Sequence, residues 1–516
     1  MHLAAGTVFV GEGPGRYLGI GPVMARGDIA MGRENGMMQH SVSRRNFLRR
    51  AALAGAALPA LSILAACGGS TPATTAPAPT APATTAQPTG AAGAAPAAPA
   101  AATPAGMATA AMPAKKLSGA VEFWSRETQN NGARQPLIND RLAAFDKANG
   151  TMSKAQFMIF AESVQKTQAA LAANTLPDLG QQGPDVTLQF AAADNLLPID
   201  DLYSSIKDTF LPLQKEAFVN YENKAYSVPW YTETRVLFYH KDLLDKAGVK
   251  PPTTWQEWAD AAKALTKGDE QYGFVFSPEG PAAGQLFIPL ATSAGAPILD
   301  KDGKVNANTE GHRAALTFLS DMYKAKSIPP ATPTYKSTDV TQLFVLKKAA
   351  MIWSNGEVLL SLKDMNPDAL KTLGAVLTPV RKMGDTSRSF LGGFQLFVFK
   401  GGKNPDAGKE LLRSLLDPAW YADYIAKTGG AALPVTKAVA SSDTYQKDPI
   451  LKVLVEQQQT AVRYGGPIYG NTPYMGDAEA KLLFSQPVVD VFTGKRSVDE
   501  GVMYLDTELK KLAKQA

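Results

Sequence analysis

The chain has 516 residues, of which 45% are hydrophobic and 19% charged, with 44 glycines and 36 prolines. That length permits roughly two to four domains. The formal charge of +5 belongs to the start of the chain: seven arginines against three acids precede Cys67, and the remainder is balanced to within one charge. A nucleic-acid surface needs Lys and Arg clustered on folded material, so the composition excludes that class of partner. Cys67 is the only cysteine, which rules out internal disulfides, thiolate clusters and a cysteine nucleophile in the folded part. After Cys67 only His240 and His312 remain, far apart in sequence, which argues against a zinc site built on several histidines. No metal and no cofactor is expected.

In chain order, the first feature is an address. Ser43-Arg44-Arg45-Asn46-Phe47-Leu48-Arg49 is followed by an apolar run from Ala51 to Ala66 and then by Cys67-Gly68-Gly69. A charged start, an apolar stretch and small residues before a processing point describe a secretory signal. The apolar run is short of the roughly 20 residues that span a bilayer, and Gly55 and Pro59 interrupt it. Ser-Arg-Arg-x-Phe-Leu resembles the twin-arginine export motif, and Leu64-Ala65-Ala66-Cys67 resembles a bacterial lipobox. Together they imply that Cys67 becomes the lipidated first residue of a protein tethered outside the cytoplasmic membrane. Acyl chains partition into the bilayer at about 0.8 kcal/mol per CH₂. The forty residues ahead are Gly-rich without amphipathic period and read as an over-extended start, with Met31, Met37 or Met38 as the first residue. Gly11-x-Gly13-x-Gly15 is no nucleotide fingerprint, since no strand precedes it and no βαβ unit follows.

Residues 67–116 are a spacer. Between Cys67 and Lys115 there is no charged and no aromatic residue. Ala, Pro, Thr and Gly bury too little apolar surface to offset the entropy of ordering, so disorder is expected. As a flexible coil the ends average roughly 40 Å apart.

From Leu117 strands alternate with helices. Ala120–Trp124 reads as a strand, Ala133–Asn149 as a helix, Gln156–Phe160 as a strand, Ser163–Ala173 as a helix and Asp185–Leu188 as a third strand. That order predicts an α/β fold with a mostly parallel sheet. Ligands bind beyond the carboxyl ends of such strands, which puts Trp124, Arg126, Glu127, Gln189 and Phe190 at a candidate site. A second α/β region follows. Tyr226–Trp230 and Arg235–Tyr239 are extended, Trp255–Leu265 is a helix with a Thr N-cap, and Gly273–Phe276 and Ala350–Trp353 are buried strands. Helices cover Gln285–Ser293 and Gly311–Lys326, Gly392 opens a strand to Lys400, and the rest is largely helical, ending in Val498–Leu512.

The block Tyr226-x-Val-Pro-Trp230-Tyr-Thr-Glu233, continuing through Tyr239-His-Lys241-Asp242 and Ala247-Gly248 to Thr254-Trp255-x-Glu257, carries a resemblance. So do Glu122-Phe-Trp124, Pro184-Asp185-Val186, Leu197-Pro198-Ile-Asp200-Asp-Leu202, Lys348-Ala-Ala-Met351 with Asn355-Gly356, and Leu391-Gly392-Gly393-Phe394. In this order they resemble bacterial extracellular solute-binding proteins of sugar-binding family 1, over essentially all of 117–516. The resemblance implies a two-lobed, periplasmic-binding-protein-like fold of type II. Crossovers would lie near Trp230–Glu233, Phe390–Phe394 and Val435–Tyr445. Lobe one would take 117–230 and about 391–435, lobe two about 233–389 and 440–516. It also implies a monomeric receptor that hands its ligand to an ABC-type importer permease.

Sugars stack apolar C–H faces on aromatic rings and offer hydroxyls to placed polar groups. The aromatic candidates are Trp124, Trp230, Tyr231, Trp353 and Tyr474, each weighed against plain burial in a core. Trp230 and Tyr231 are adjacent in an extended segment, so their side chains point to opposite faces and one of them should meet the cleft. Glu233 is the first choice among charged positions, as an acceptor for hydroxyls or as half of a lobe–lobe salt bridge with Arg235. Arg126, Glu127, Gln189, Phe190, Asn355, Gly393 and Phe394 complete the candidate set, and Gly392-Gly393 permits close backbone approach. The expected ligand is a mono- or oligosaccharide. A polyamine, a glycerophosphodiester or another small polar solute is the alternative within the same role. A secreted hydrolase lacks a Gly-x-Ser-x-Gly elbow, although a pair of carboxylates meeting in space stays open. A lectin without an importer is the remaining class.

Overall fold

A computed structural model describes residues 117–126, 134–158, 160–216, 220–464, 472 and 474–514. The signal region, Cys67, the spacer and Glu127 lie outside the described residues. The described strands are β1 (Gly119–Ser125), β2 (Thr151–Phe157), β3 (Leu179–Gln182), β4 (Asn220–Tyr221), β5 (Lys224–Ala225), β6 (Val228–Glu233), β7 (Val236–His240), β8 (Tyr272–Val275), β9 (Ala349–Ser354), β10 (Leu373–Val376) and β11 (Gly392–Val398).

Two sheets organise two lobes. The first runs β2-β1-β3-β11-β6 and the second β10-β7-β9-β8, with β4 and β5 as a separate hairpin. Neither is mostly parallel. β1 pairs parallel with β2 and β3, but β11 is antiparallel to both β3 and β6. In the second sheet β8 and β9 are parallel, while β7 is antiparallel to β9 and β10. The antiparallel strands are those by which the chain changes sheet. It leaves the first sheet after β6 through Thr234 and Arg235, returns along residues 377–391 into β11, and reaches the second lobe again after the helix Pro418–Ala426.

The strands read as sequence predicts where apolar residues run on: all five residues of β7 are buried, and β9 is buried from Ala349 to Trp353. Two placements differ. The second strand begins at Thr151, earlier than expected, because Gly150 turns the chain in the left-handed region and Asp146 holds the strand start, accepting from Thr151 Oγ1 at 2.7 Å and Ser153 N at 2.7 Å. Phe160 then opens the helix Phe160–Ala173. The third strand is not Asp185–Leu188 but β3. Pro184 at the first helical position and Asp185 in the first turn start a helix, Pro184–Ala192, instead.

Each sheet is covered on both faces. In the first lobe Phe123, Leu179, Val228 and Leu396 are fully buried, and the helix Pro405–Leu415 packs across β1, β3 and β11. In the second, the helices Ala282–Ser293, Glu310–Lys324, Gln486–Phe492 and Val498–Ala513 pack on one another. The helix Trp255–Leu265 starts in a full capping box between Thr254 and Glu257 and buries Trp255 and Trp258.

Candidate functional site

The carboxyl ends of β1 and β3 form one wall. Ser125 Oγ donates to Gln181 Oε1 at 3.0 Å, Arg126 N donates to the same oxygen at 3.1 Å, and Gln181 Nε2 donates to the Tyr231 hydroxyl at 3.3 Å. Arg126 Nη1 donates to Gln182 Oε1 at 3.3 Å. The Arg126 guanidinium lies 4.3 Å over the Phe394 ring and Arg134 5.5 Å over Tyr231, with Tyr231 and Phe394 edge to face at 5.2 Å. A cation over an aromatic face is attracted by the ring's electrons. Most polar groups of this wall are engaged with one another.

The crossover supplies the charge. Glu233 Oε2 accepts from Asn355 Nδ2 at 2.6 Å, and Glu233 Oε1 lies 3.6 Å from Arg235 Nη2. Arg235 also sits over Phe390 at 5.0 Å and Trp353 at 5.8 Å. Gly393, at φ +124°, brings β11 so near β6 that a Cβ would collide with the Tyr231 carbonyl oxygen, so glycine is required there.

The second wall encloses a cavity of about 530 Å³, within the usual range for small-molecule sites. It lies at the carboxyl ends of the parallel pair β8 and β9. Ser277 follows β8, Ser337 and Thr338 open the helix Ser337–Val345, and Trp353, Ser354, Asn355 and Glu357 come from the end of β9 and beyond. Arg235 borders it from the crossover. Ser277 and Ser337 share a hydrogen bond of 2.9 Å, and Trp353 Nε1 donates to Thr378 Oγ1 at 3.1 Å, which fixes the indole plane. Glu357 is exposed to solvent, yet crowding by the surrounding protein and the neighbouring Glu233 charge push its carboxyl above its ordinary value, against the pull of Arg134 and Arg235.

A second polar contact joins the lobes. Arg463 Nε donates to Asp185 Oδ2 at 2.7 Å, and its Nη2 lies 3.2 Å from Glu479 Oε2. Gln189 Nε2 donates to Asp477 Oδ1 at 3.2 Å. Burial raises the Glu479 carboxyl, with Arg463 opposing.

The structure distributes the sequence candidates unequally. Trp353 and Asn355 line the cavity, with Glu233 bonded to Asn355. Arg126, Tyr231, Gly393 and Phe394 gather at the first wall. Trp230 does not meet the cleft. It is fully buried, stacked 6.0 Å from Trp420 and packed 4.8 Å from Tyr424, on the opposite side of β6 from Tyr231. Trp124 packs in the first lobe's core, its indole N–H donating to Glu122 Oε1 at 2.7 Å. Phe190 lies in that same core against Phe397 and Phe399, because the segment is a helix that turns it inward. Gln189 joins the interlobe contact, and Tyr474 begins the helix Tyr474–Ala480 with its ring in the second lobe's core. Sequence reasoning missed Gln181 and Gln182, whose strand was placed too late, and Ser277, Ser337 and Glu357, which are isolated polar residues after strands. The carboxyl-end rule applied to β8 and β9 points to these last three. Among the described residues no three His, Cys, Asp or Glu side chains gather to hold a metal, and no helix is long and apolar enough to cross a membrane.

Residues 140–453 match the family model described as bacterial extracellular solute-binding protein. The diacetylchitobiose binding protein DasA of Streptomyces coelicolor is 26% identical over 282 residues, 54% of this chain and 65% of that one. The galactooligosaccharide-binding protein of Bacillus subtilis is 24% identical over 362 residues, 67% of this chain and 80% of that one. The GacH receptor of Streptomyces glaucescens, a structure determined unliganded and with acarbose, superposes with a TM-score of 0.67 at 23% identity, over 77% of this chain and 99% of that one. At that identity the likeness concerns the two-lobed fold.

Proposed function

The chain belongs to the bacterial extracellular solute-binding protein family, and we propose that within it this protein captures a saccharide between its lobes and delivers it to an ABC-type importer. Family members bind solutes and do not catalyse, and they work outside the cytoplasmic membrane. The observation that carries the saccharide reading is the cavity at the ends of β8 and β9. It is lined by Trp353, otherwise buried in the second lobe's core, together with the hydroxyls of Ser277 and Ser337, the Asn355 amide and one charge of each sign. An aromatic plane suits the apolar face of a sugar ring, and paired donors and acceptors suit its hydroxyls. The relatives named for diacetylchitobiose and galactooligosaccharides support the same class.

In this reading the fold works as a type II receptor. The lobes close about the chain passages at Thr234–Arg235 and 377–391, a few residues absorbing the rotation. Lobe one comprises 117–230 and about 391–435, lobe two about 233–389 and 440–516. Closure brings Arg126, Tyr231 and Phe394 of the first wall over a ligand seated on Trp353. The receptor acts as a monomer. Cys67, lipidated after removal of a twin-arginine-type signal, tethers it to the membrane, and residues 67–116 give it reach.

Thermal unfolding against a panel of mono- and oligosaccharides, spermidine and glycerophosphocholine tests the ligand class. A saccharide at 100 times its Kd stabilises the protein by about 2.7 kcal/mol. Stabilisation by spermidine or glycerophosphocholine with none by any saccharide rejects the saccharide reading.

A further inference from the structure

Two charged groups that line the cavity keep hydrogen-bonding capacity among the described residues: Arg235 Nη1 is buried without a partner, and the solvent-exposed Glu357 carboxylate is bonded to no other group. Glu357 opens the helix Glu357–Met365 and lines the cavity. Its hydrogen bonds are made by its backbone: the N–H donates to Asn355 Oδ1 at 3.3 Å, and the carbonyl accepts from Ser361 Oγ at 3.4 Å. The carboxylate has no hydrogen bond or ion pair among the described residues. Solvent reaches it, yet it stands within a concavity crowded by protein. Its neighbour Glu233 is engaged by Asn355 and Arg235. The charges that face Glu357 are Glu233 on β6, Arg235 on the crossover and Arg134 on the helix Arg134–Asn149.

These surroundings discriminate among ligands. A polyamine would suit Glu357 but meet Arg235 and Arg134. A phosphoryl group offers only acceptors and negative charge: it can pair with Arg235 but cannot donate to Glu357, and both Glu357 and Glu233 repel it. A hydroxyl both donates and accepts, so a pair of adjacent hydroxyls can donate to Glu357 and accept from Arg235 with no uncompensated charge.

We propose that Glu357 is the specificity-determining residue of this cavity: its carboxylate accepts hydrogen bonds from adjacent hydroxyls of an uncharged saccharide and excludes phosphorylated solutes. The inference rests on the saccharide reading of the cavity. A hydrogen bond to an ionised acceptor is stronger than one to an amide, so the unpartnered carboxylate, rather than the serines, sets the preference. Since the bond needs the ionised form, capture weakens in acid as Glu357 takes up its proton.

The test uses the whole protein and its E357Q variant. Glutamine keeps the size and removes a charge that Glu233 repels, so the ligand-free melting temperature is expected to be unchanged or slightly higher, never lower. Calorimetric titration of maltose, laminaribiose, diacetylchitobiose, glucose 6-phosphate and glycerophosphocholine at pH 7 and pH 4.5 gives the readout. The wild type is expected to prefer a neutral disaccharide and to lose affinity at the lower pH. E357Q is expected to bind that disaccharide about tenfold more weakly at pH 7, with no loss on acidification. Unchanged affinity or an unchanged pH profile in E357Q overturns the role of Glu357 and leaves the saccharide reading standing. A wild type that binds no neutral disaccharide overturns both. Stronger wild-type binding of either phosphorylated probe overturns the selectivity.

Discussion

The two walls of the cleft are built on opposite terms. The first lobe's wall closes on itself: Gln181 links Ser125, Arg126 and Tyr231, and two arginines lie over aromatic rings. The second lobe's wall leaves Glu357 unpartnered around an open cavity, with the Ser277–Ser337 pair at its rim. A wall whose polar groups are mostly engaged with one another is a preformed surface. One whose polar groups are not is a receptor for donors and acceptors from elsewhere. On the proposed reading, the contrast places ligand choice in the second lobe, with the first lobe's wall facing it. The interiors differ in kind too. The first lobe centres on Trp230 among Trp420, Tyr421 and Tyr424, whereas the second buries both histidines of the folded region, His240 and His312.

The largest effect breaks the first lobe. W230A removes a fully buried indole and lowers stability by about 4 kcal/mol, read as a shift of the urea midpoint. Were Trp230 a stacking platform for ligand, the variant would keep its stability and lose affinity. Next comes the contact between lobes. Asp185 and Arg463 side chains are 11% and 8% exposed, so D185A removes one of two carboxylates from a buried guanidinium, Glu479 remaining at 3.2 Å, and costs about 2 kcal/mol. A loss under about 1 kcal/mol would place that pair in the surface class.

Acid sharpens the comparison from the other side. Burial, with Asp506 opposing and Arg313 assisting, lowers the His312 pKa from its ordinary 6.5 to about 4. Between those values the unfolded chain binds a proton that the native second lobe does not. Stability contributed by the neutral histidine is therefore complete above pH 6.5 and falls as the pH drops toward 4, by on the order of 2 kcal/mol. Denaturant titrations at pH 7 and pH 5 check this, and H312Q should flatten the slope. The smallest effect is local. T254A breaks the capping box at an exposed helix start and costs about 1 kcal/mol, with the cleft and its ligand affinity untouched.

Local chemistry explains which parts were legible in sequence. The helix Trp255–Leu265 announces itself by Thr254 and Glu257, and Val498–Ala513 starts in the same kind of box at Ser497 and Glu500. β7 reads from its apolar run. β3 does not, because Leu179-Gly-Gln-Gln182 is short and polar and its burial comes from neighbours distant in sequence, while Pro184 gives a stronger signal just downstream. Alternation separates Trp230 from Tyr231 onto opposite faces, yet nothing local says which face is the core. Trp420 and Tyr424, about 190 residues later, decide it. Of the site, Trp353 and Asn355 were within reach of motif reasoning. Glu357 was not, since a single acid after a strand looks like any helix-starting carboxylate until Glu233, Arg235 and Arg134 are brought around it.

Amide hydrogen exchange, with and without the saccharide that most stabilises the protein, tests the central claim most directly. Slowed exchange is predicted in residues 335–345 and 352–361, which border the cavity, with a smaller effect at residues 228–235. Protection confined to the first lobe, or absent from both cavity segments, would contradict the assignment of ligand choice to the second lobe.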